Sequence, residues 1–362
     1  MAYTTIDDPS AYFQALVYAG TGNSASQPTT HTNDGNSDLQ PDLFWVKDRG
    51  AGYGHALVDS TRGRSKYLFP DVVNAEVTTG STAYDVVSFD SNGFKVGAPS
   101  EANSTNGGTT SKVAWQWKAN AGTTTAFTES GNNPGGTRQT NTAAGFSIIS
   151  YTGTGAPGNI AHGLPSAPEW IIFKNRGTTN VWATWHQAIG DDVKLVLNDE
   201  AAQDADGSFM NSTLPDATNI RVGDSGNPNT NADAGTYMCY AWSPVQGYSK
   251  FGKYVGNGST DGAFNYTGFK PAFVLIKKYT TAADSWVILD TARNPYNGMD
   301  ARLFPDLANA ESTSQVLIDS LSNGFKMRTA DTAYNGSGVG YIYMAFAENP
   351  FVTSTGIPTT AR

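Results

Sequence analysis

The sequence LFPDVVNAE at Leu68–Glu76 returns as LFPDLANAE at Leu303–Glu311, with seven of nine residues identical. The surrounding residues repeat as well, because one acid–arginine pair and the pentapeptide SNGFK recur 231 positions later. These further matches are Asp59 with Asp290, Arg62 with Arg293, and Ser91–Lys95 with Ser322–Lys326. A repeat on this scale indicates a duplicated structural unit rather than one catalytic motif used twice.

A third, weaker copy lies between the other two. Each copy opens with a tyrosine and a glycine turn, namely YAGTG at Tyr18, YTGTG at Tyr151 and YVGNG at Tyr254. Each continues with an apolar run between a proline and a lysine, which is PDLFWVK, PEWIIFK or PAFVLIK. Each closes on an aromatic segment, VAWQWKA, YMCYAW or YIYMAFAE. The middle copy departs at the nonapeptide, where LVLNDEAAQD reads as out of frame with the other two.

The apolar runs predict an all-β protein. They are short, rich in Val, Ile, Phe, Tyr and Trp, and bounded by clusters of Gly, Asn, Asp and Thr. We expect three tandem β-sandwich, jelly-roll-like units of about 100 residues with divergent sequences. The expected boundaries are an N-terminal arm at 1–12, unit 1 at 13–119, a Gly/Thr/Asn-rich linker at 120–144, unit 2 at 145–243, unit 3 at 244–350 and a C-terminal tail at 351–362.

The charge balance excludes some classes of partner. The 362 residues include 23 Lys and Arg against 32 Asp and Glu, which gives a formal charge of −9. An acidic chain without basic clusters repels nucleic-acid phosphates and anionic lipid surfaces. No apolar stretch approaches the ~18 residues of a membrane span. We therefore predict no nucleic-acid partner and no membrane insertion.

The repeated acids, above all Glu76 and Glu311, could be read as the paired carboxylates of a glycoside hydrolase. The broken middle copy argues against that interpretation, and Pro, Asp and Asn at fixed places are typical of turns and helix caps. An acid and an arginine three positions apart are expected to pair locally and fix a loop. We interpret the repeated charged residues as structural markers, not catalytic ones: Asp59, Arg62, Glu76, Asp290, Arg293 and Glu311.

Signals for metals and cofactors are weak. The four histidines do not show the spacing of a zinc site, and the single cysteine, Cys239, lies in an apolar run that predicts burial. DADG at Asp204–Gly207 resembles the start of a calcium loop, but Pro215 stands where such a loop has its glutamate. We predict no metal, no cofactor and no catalytic residue.

Aromatic residues suggest an interaction surface. Trp115 with Trp117, and Tyr341 with Tyr343, alternate along the closing strands. From that alternation we predict that one member of each pair faces outward or into a neighbouring subunit. The alternative is that the aromatic residues are buried in the cores of the repeats.

The opening AYTTIDDPSAYFQALVYAGTG, the PDLFWVK strand, the SNGFK box, YIYMAFAENPF and the terminal PTTAR together resemble a family of marine tailed-bacteriophage virion proteins. These repeat proteins are described as tail-fibre or structural proteins. The resemblance extends over nearly the whole chain. It implies a β-rich, adhesin-like fold and a place on the virion surface, and it implies no catalytic residues.

Three functions follow as hypotheses. The first is a tail-associated fibre or receptor-binding protein that forms a homo-oligomer, with a trimer favoured, and contacts other virion proteins and host surface glycans. The second is a capsid decoration or head-fibre protein. The third is a glycan depolymerase. MAYTTIDDPS lacks the regions of a signal peptide, so we expect synthesis in the host cytoplasm before assembly onto the virion surface.

Overall fold

The computed structural model describes residues 2–22, 28–79, 85–97, 103–191, 193–224, 226–282 and 284–359. Over these residues the fold is all-β, as predicted. Helical structure in this described part is limited to 3₁₀ turns at Pro9–Ala11 and Gln187–Ile189 and to single turns α1 (Asn103–Asn106) and α2 (Thr332–Asn335). No described helix has the length and apolar character needed to cross a membrane.

The strands run in chain order through the three repeats. In the first repeat they are β1 (Phe13–Ala19), β2 (Thr29–His31), β3 (Leu43–Asp48), β4 (Ala56–Asp59), β5 (Lys66–Tyr67), β6 (Val77–Thr78), β7 (Val86–Asp90), β8 (Gly93–Val96) and β9 (Ser111–Trp117). Next come β10 (Thr125–Phe127), β11 (Gly136–Asn141), β12 (Phe146–Thr152), β13 (Gly158–Ala161), β14 (Trp170–Asn175), β15 (Trp182–His186), β16 (Val193–Val196), β17 (Asp204–Ala205), β18 (Asn219–Val222) and β19 (Thr236–Trp242). The last are β20 (Ser249–Val255), β21 (Phe264–Tyr266), β22 (Phe269–Lys278), β23 (Val287–Asp290), β24 (Ile318–Leu321), β25 (Gly324–Met327) and β26 (Gly340–Pro350).

Three antiparallel sheets share one strand order. Sheet 1 is β1-β9-β3-β4, sheet 3 is β20-β26-β22-β23, and sheet 2 contains β12-β19-β14-β15 within eight strands. In each, the opening strand pairs with the closing strand, which pairs with the proline-to-lysine strand. The boundaries of the predicted units stay a prediction, but the three repeats form equivalent sheets.

The three sheets pack their inner faces into one shared core. Alternate residues of each strand point to this side, as the period of a β-strand requires. Rings from different sheets meet there, with Trp117 and Trp242 at 6.3 Å between centroids and Trp170 and Trp286 at 6.0 Å. The large side chains of this cluster are Phe13, Trp45, Trp115, Trp117, Phe146, Trp170, Trp182, Trp242, Phe251, Phe273, Trp286 and Phe346.

A smaller sheet covers the outer face of each inner sheet. These outer sheets are β2-β8-β7, β13-β18 and β21-β25-β24. A separate apolar cluster lies between each pair, for example Phe44 and Val46 of β3 against Phe94 and Val96 of β8. The inner sheets are therefore buried on both faces, which explains why β3 is apolar nearly throughout and why all six of its residues are buried.

An asparagine holds each glycine turn. The side-chain oxygens of Asn106, Asn231 and Asn335 accept the backbone N–H of Thr21, Thr154 and Asn257 at 2.9, 2.9 and 3.1 Å. The second glycine of each turn donates its own N–H to the backbone carbonyl of the same asparagine. These are Gly22, Gly155 and Gly258, with φ of 61°, 72° and 65°. Only glycine adopts such angles without strain, so the YxGxG motif is a structural requirement.

The linker predicted at 120–144 contains two strands, which the sequence did not indicate. β10 and β11 form a hairpin, and β11 pairs along the edge of β12. β11 is polar along its length because its side chains make hydrogen bonds on both faces of the sheet. Gln139 donates to Ser60, while Thr140 donates to the backbone oxygen of His162.

The predicted arm and tail lie against the third repeat. Thr4 donates to the backbone oxygen of Gln246 at 2.8 Å, and Ile6 is buried in the shared core. Asp7 accepts the backbone N–H of Ser354 from the tail at 2.6 Å. Met1 of the arm and residues 360–362 of the tail lie outside the described residues.

Candidate functional site

The nonapeptide segments connect neighbouring sheets. We call residues 68–76, 195–203 and 303–311 clasps 1, 2 and 3. The last residue of each clasp donates its backbone N–H to the residue two positions after the lysine of a different repeat. These bonds run from Glu76 to Arg176 at 2.9 Å, from Gln203 to Tyr279 at 3.0 Å and from Glu311 to Arg49 at 2.8 Å. The middle segment is therefore in frame, and the prediction that it is out of frame is wrong.

The second residue of each clasp makes an equivalent contact. Its carbonyl oxygen accepts a hydrogen bond from the first residue of the HALVD, WATWH or WVILD strand of the adjoining repeat. The bonds are Trp182 Nε1 to Phe69 at 2.9 Å, Trp286 Nε1 to Val196 at 2.9 Å and His55 Nε2 to Phe304 at 2.9 Å. Clasp 1 thus contacts the second repeat, clasp 2 the third and clasp 3 the first, so the contacts close into a cycle.

Clasp 1 carries a cluster of buried charges. Arg62 pairs with Asp59, Nε to Oδ2 at 2.6 Å, and with Glu76, Nη1 to Oε2 at 3.1 Å. Arg176 of the second repeat donates twice to the same glutamate, at 2.8 and 2.9 Å. Tyr240 donates its hydroxyl to Asp59 Oδ2 at 2.7 Å. The acid–arginine pair predicted to fix a loop also joins two sheets.

Clasp 3 repeats the same cluster with other partners. Arg293 pairs with Asp290 at 2.6 Å and with Glu311 at 3.0 Å. Arg49 of the first repeat donates to Glu311 at 2.7 and 2.8 Å. Trp115 donates its indole N–H to Asp290 Oδ2 at 2.8 Å, in the place where Tyr240 contacts Asp59.

Clasp 2 lacks the charged residues of the other two clasps but makes its contacts at the equivalent positions. His186 stands where Asp59 and Asp290 stand, and Ile189 replaces the arginine three residues later. Gln203 replaces the glutamate and is exposed. The backbone contacts of clasp 2 persist without any of these charged side chains, so the polypeptide path defines the clasp and the ion pairs reinforce it.

The ion pairs fix the ionisation of both glutamates. Burial alone would raise the pKa of Glu76, but the hydrogen bonds and charges of Arg176 and Arg62 outweigh it and lower that pKa to about 2. The pKa of Glu311 is lowered for the same reasons by Arg49 and Arg293. A carboxylate held in this way stays ionised and has no proton to donate as a general acid.

Each clasp is also contacted by a buried lysine. Burial lowers the pKa of Lys47, Lys174 and Lys277 to about 8 in each case. Lys47 donates to the backbone oxygen of Ala308 and Lys174 to that of Val73, at 3.1 Å in both cases. This is the physical role of the lysine that ends each proline-to-lysine strand.

The aromatic residues predicted to form an interaction surface are buried. The exposed fractions of Trp115, Trp117, Tyr341 and Tyr343 are 0, 2, 0 and 3%. Residues two apart in a strand point to the same face, so alternation could not expose one member of a pair. Trp115 and Trp117 face the shared core, while Tyr341 and Tyr343 face the outer apolar cluster of the third repeat.

An exposed aromatic pair lies elsewhere. Phe264 and Tyr266 of β21 are 46 and 49% exposed. They are two residues apart in one strand and therefore share a face. The Lys250 ammonium group lies 5.2 Å from the centre of the Tyr266 ring. No sequence signal distinguished this pair from the buried aromatic residues.

The other sequence candidates are engaged or buried. Burial raises the pKa of the Cys239 thiol well above its usual value, which leaves it protonated. Lys194 forms ion pairs with Asp204 and Asp206 of the DADG segment at 2.8 and 2.7 Å. Among the described residues, no three His, Cys, Asp or Glu side chains are grouped to hold a metal ion.

The chain belongs to the family of the Domain of unknown function (DUF7483), whose model matches residues 8–350. This span includes all three clasps, all 26 strands over the described residues and the hairpin of β10 and β11. Searches of curated proteins and of solved structures found no match to the chain.

Proposed function

We propose that this protein is a non-enzymatic structural component of a tailed-phage particle. The favoured role is that of a tail-associated fibre or receptor-binding protein at the virion surface. The motifs that resemble virion repeat proteins support the location. The alternative within the same proposal is a decoration or head-fibre protein on the capsid.

One observation carries the structural part of the proposal. The most strongly repeated polar residues form ties between sheets, and each repeated glutamate is shared by two arginines. The presence of this motif in two copies is explained by its role in joining the sheets into a cycle. A rigid closed arrangement of sheets suits a protein whose task is mechanical or adhesive.

The depolymerase hypothesis is disfavoured by the same contacts. A glycosidase needs one carboxylic acid with a raised pKa beside a second carboxylate. Glu76 and Glu311 have lowered pKa values and lie in separate clasps. Glycan release by the purified protein, lost in Glu76→Gln or Glu311→Gln, would reverse this judgement.

Contact with host glycans is assigned in this proposal to Phe264 and Tyr266. Aromatic faces provide apolar area with a polar rim, which suits sugar rings. The pair is exposed, unlike the closing-strand aromatic residues. Phe264→Ala with Tyr266→Ala is expected to reduce adsorption of virions to host cells without lowering the melting temperature, and unchanged adsorption would remove this contact from the proposal.

The experiment that tests the proposal is the copy number and position of the protein on intact virions. Electron cryo-microscopy with mass spectrometry of purified particles supplies both. A few copies in threes or sixes at the tail support the fibre role and the homo-oligomer. Dozens to hundreds of copies over the capsid support decoration instead, and absence of the protein from particles defeats both.

A further inference from the structure

The opening strands of the three inner sheets are equivalent, but within the described part of the chain only one of them pairs with a strand on both sides. β1, β12 and β20 each lead into the glycine turn and each pair on one side with the closing strand. Over the residues that the structure describes, β1 and β20 are the edges of their sheets, whereas β11 pairs with the other side of β12. One sheet edge thus carries an additional strand that its two counterparts lack among the described strands.

The added strand β11 fills the gap between the edge of β12 in the second repeat and the loop after β4 in the first repeat. Gln139 of β11 is fully buried opposite Ile148 of β12. Its amide donates to Ser60 Oγ at 2.9 Å and Thr61 Oγ1 at 2.7 Å in the loop after β4, and its oxygen accepts the N–H of Gly122 at 2.8 Å. A polar, extended segment therefore satisfies both the strand edge and the loop of the adjoining repeat.

The equivalent gap beside β1 is an open groove. Its volume is about 340 Å³, with Phe13, Ala15 and Val17 on one wall. Thr291 and Ala292 on the other wall belong to the loop after β23. That loop is the counterpart of Ser60 and Thr61, because Asp290 matches Asp59.

The backbone of β1 points alternate N–H and C=O groups into this groove, where no strand of the described residues pairs with them. Lys118 donates to the carbonyl of Tyr12, and Gly20 donates to that of Thr110, so the even-numbered residues of β1 bond to β9. Neighbouring residues of an antiparallel edge strand alternate in direction. Phe13, Ala15 and Val17 therefore direct their N–H and C=O groups to the groove, as Phe146, Ile148 and Ser150 do toward β11.

We propose that the β1 groove binds an extended segment of a partner protein, which adds to sheet 1 as an antiparallel strand. The segment is rich in hydroxyl and carboxamide side chains and carries a basic residue. Strand addition of this kind draws affinity from backbone hydrogen bonds and specificity from alternate side chains. The inference rests on sheet geometry and on the residues that line the groove, and it does not depend on the phage proposal.

The composition of the bound segment is inferred from β11, which fills the equivalent gap beside β12. β11 reads GTRQTN, and its carboxamide meets hydroxyl groups of the loop. In the groove, Thr291 supplies the corresponding hydroxyl. Lys270 and Glu348 form an ion pair, so the exposed Asp34 gives the groove a net negative charge that favours a basic residue.

A segment of the same chain is a poorer occupant. β11 of each copy is already bound to β12, and the arm and tail are tied by Thr4 to Gln246 and by Asp7 to Ser354. The β20 edge is a poorer site, because Gln187 donates to the carbonyl of Phe251 there at 3.4 Å. These contacts direct the proposal to β1 and to a different protein.

The test uses the full chain and a fluorescein-labelled peptide of residues 134–143, PGGTRQTNTA, as the probe. Val17→Pro removes one outward N–H of β1, and Lys253→Pro removes its counterpart on β20. Proline is tolerated at such edge positions. Fluorescence anisotropy is expected to show peptide binding that Val17→Pro weakens by tenfold or more and that Lys253→Pro leaves unchanged.

A second variant protects the test against misfolding. Ala292 is exposed on the groove wall, so Ala292→Trp obstructs the groove without touching a strand. It is expected to weaken peptide binding as strongly as Val17→Pro, with an unchanged melting temperature. Three results overturn the proposal: no peptide binding to the unaltered protein, binding by both groove variants that is as strong as that of the unaltered protein, or a dimer of the protein that Val17→Pro dissociates, which would make a second copy the occupant.

Discussion

Arg176 donates two hydrogen bonds to the carboxylate of Glu76, Nε to Oε2 at 2.8 Å and Nη2 to Oε1 at 2.9 Å, although the residues are 100 positions apart. The pair joins the first repeat to the second. Glu311 and Arg49 make the same bidentate contact between the third repeat and the first. The most conspicuous sequence repeat in the chain is thus explained by contacts between repeats as well as within them.

The first prediction concerns this ion pair. Glu76→Ala leaves Arg62 and Arg176 without their shared carboxylate in a mostly buried place, so we expect the free energy of unfolding to fall by about 3 kcal/mol. Urea denaturation followed by tryptophan fluorescence measures it. Gln203→Ala at the same clasp position is the matched control and should change stability by less than about 0.5 kcal/mol, because Gln203 is exposed and uncharged. Equal effects would contradict the role given to the ion pair.

The second prediction concerns acid stability. Burial lowers the pKa of His55 and His186 to about 3, below the ~6.5 of an unfolded histidine. The unfolded chain therefore takes up protons that the folded chain does not, as pH falls from about 6.5 toward 3. Each histidine should lower the free energy of unfolding by about 1.4 kcal/mol per pH unit in that window.

His55→Gln checks this prediction. The slope of unfolding free energy against pH between about 6 and 4.5 should decrease relative to the unaltered protein, and His55→Gln with His186→Gln should decrease it further. Asp306, whose pKa burial raises to about 6, opposes the histidines in this range and is the same in all variants. An unchanged slope would show that the histidines do not carry the acid sensitivity.

The third prediction concerns the glycine turns. Asn335 is fully buried and donates to Asn257, to the carbonyl of Ser259 and to that of Thr329. Asn335→Ala leaves these acceptors and the N–H of Asn257 without their partner, and we expect a loss of about 2–3 kcal/mol. Thermal unfolding measures it, with exposed Asn309→Ala as the control, which should shift the midpoint far less.

The fourth prediction replaces the expected role of a closing-strand aromatic residue. Trp117 packs against Phe13 and Trp242 in the shared core. Trp117→Ala should therefore lower stability by about 3–5 kcal/mol. The control is Tyr296→Ala, since Tyr296 is 74% exposed and should cost less than about 0.5 kcal/mol. Full stability of Trp117→Ala would mean that the residue acts at a surface after all.

The sequence predicted the all-β fold, because opening, central and closing strands keep their apolar pattern. It missed the frame of the middle clasp, since Leu197 and Gln203 replace the proline and the glutamate that made the motif recognisable. The backbone path needs neither side chain. The hairpin of β10 and β11 was missed because its polar residues meet polar partners on both faces, which removes the alternation that predicts a strand.

The asparagines that hold the glycine turns could have been found from the sequence. Each structural asparagine precedes its closing strand by five residues, as Asn106 does Ser111 and Asn335 does Gly340. Comparison of the repeats at that spacing would have found it. The partners of Glu76 and Glu311 were out of reach, because Arg176 and Arg49 lie in other repeats and nothing in a single sequence pairs residues 100 or 262 positions apart.

The cycle of clasps also sets the order in which the chain can complete its fold. Clasp 3 contacts Lys47 and His55, which lie about 250 positions earlier in the chain. The first repeat therefore cannot make these contacts until the last third of the chain has been synthesised. Until then the aromatic inner face of sheet 1 is exposed, and closing so long a loop is slow. We therefore expect folding to be completed late, with the incomplete chain prone to aggregation until then.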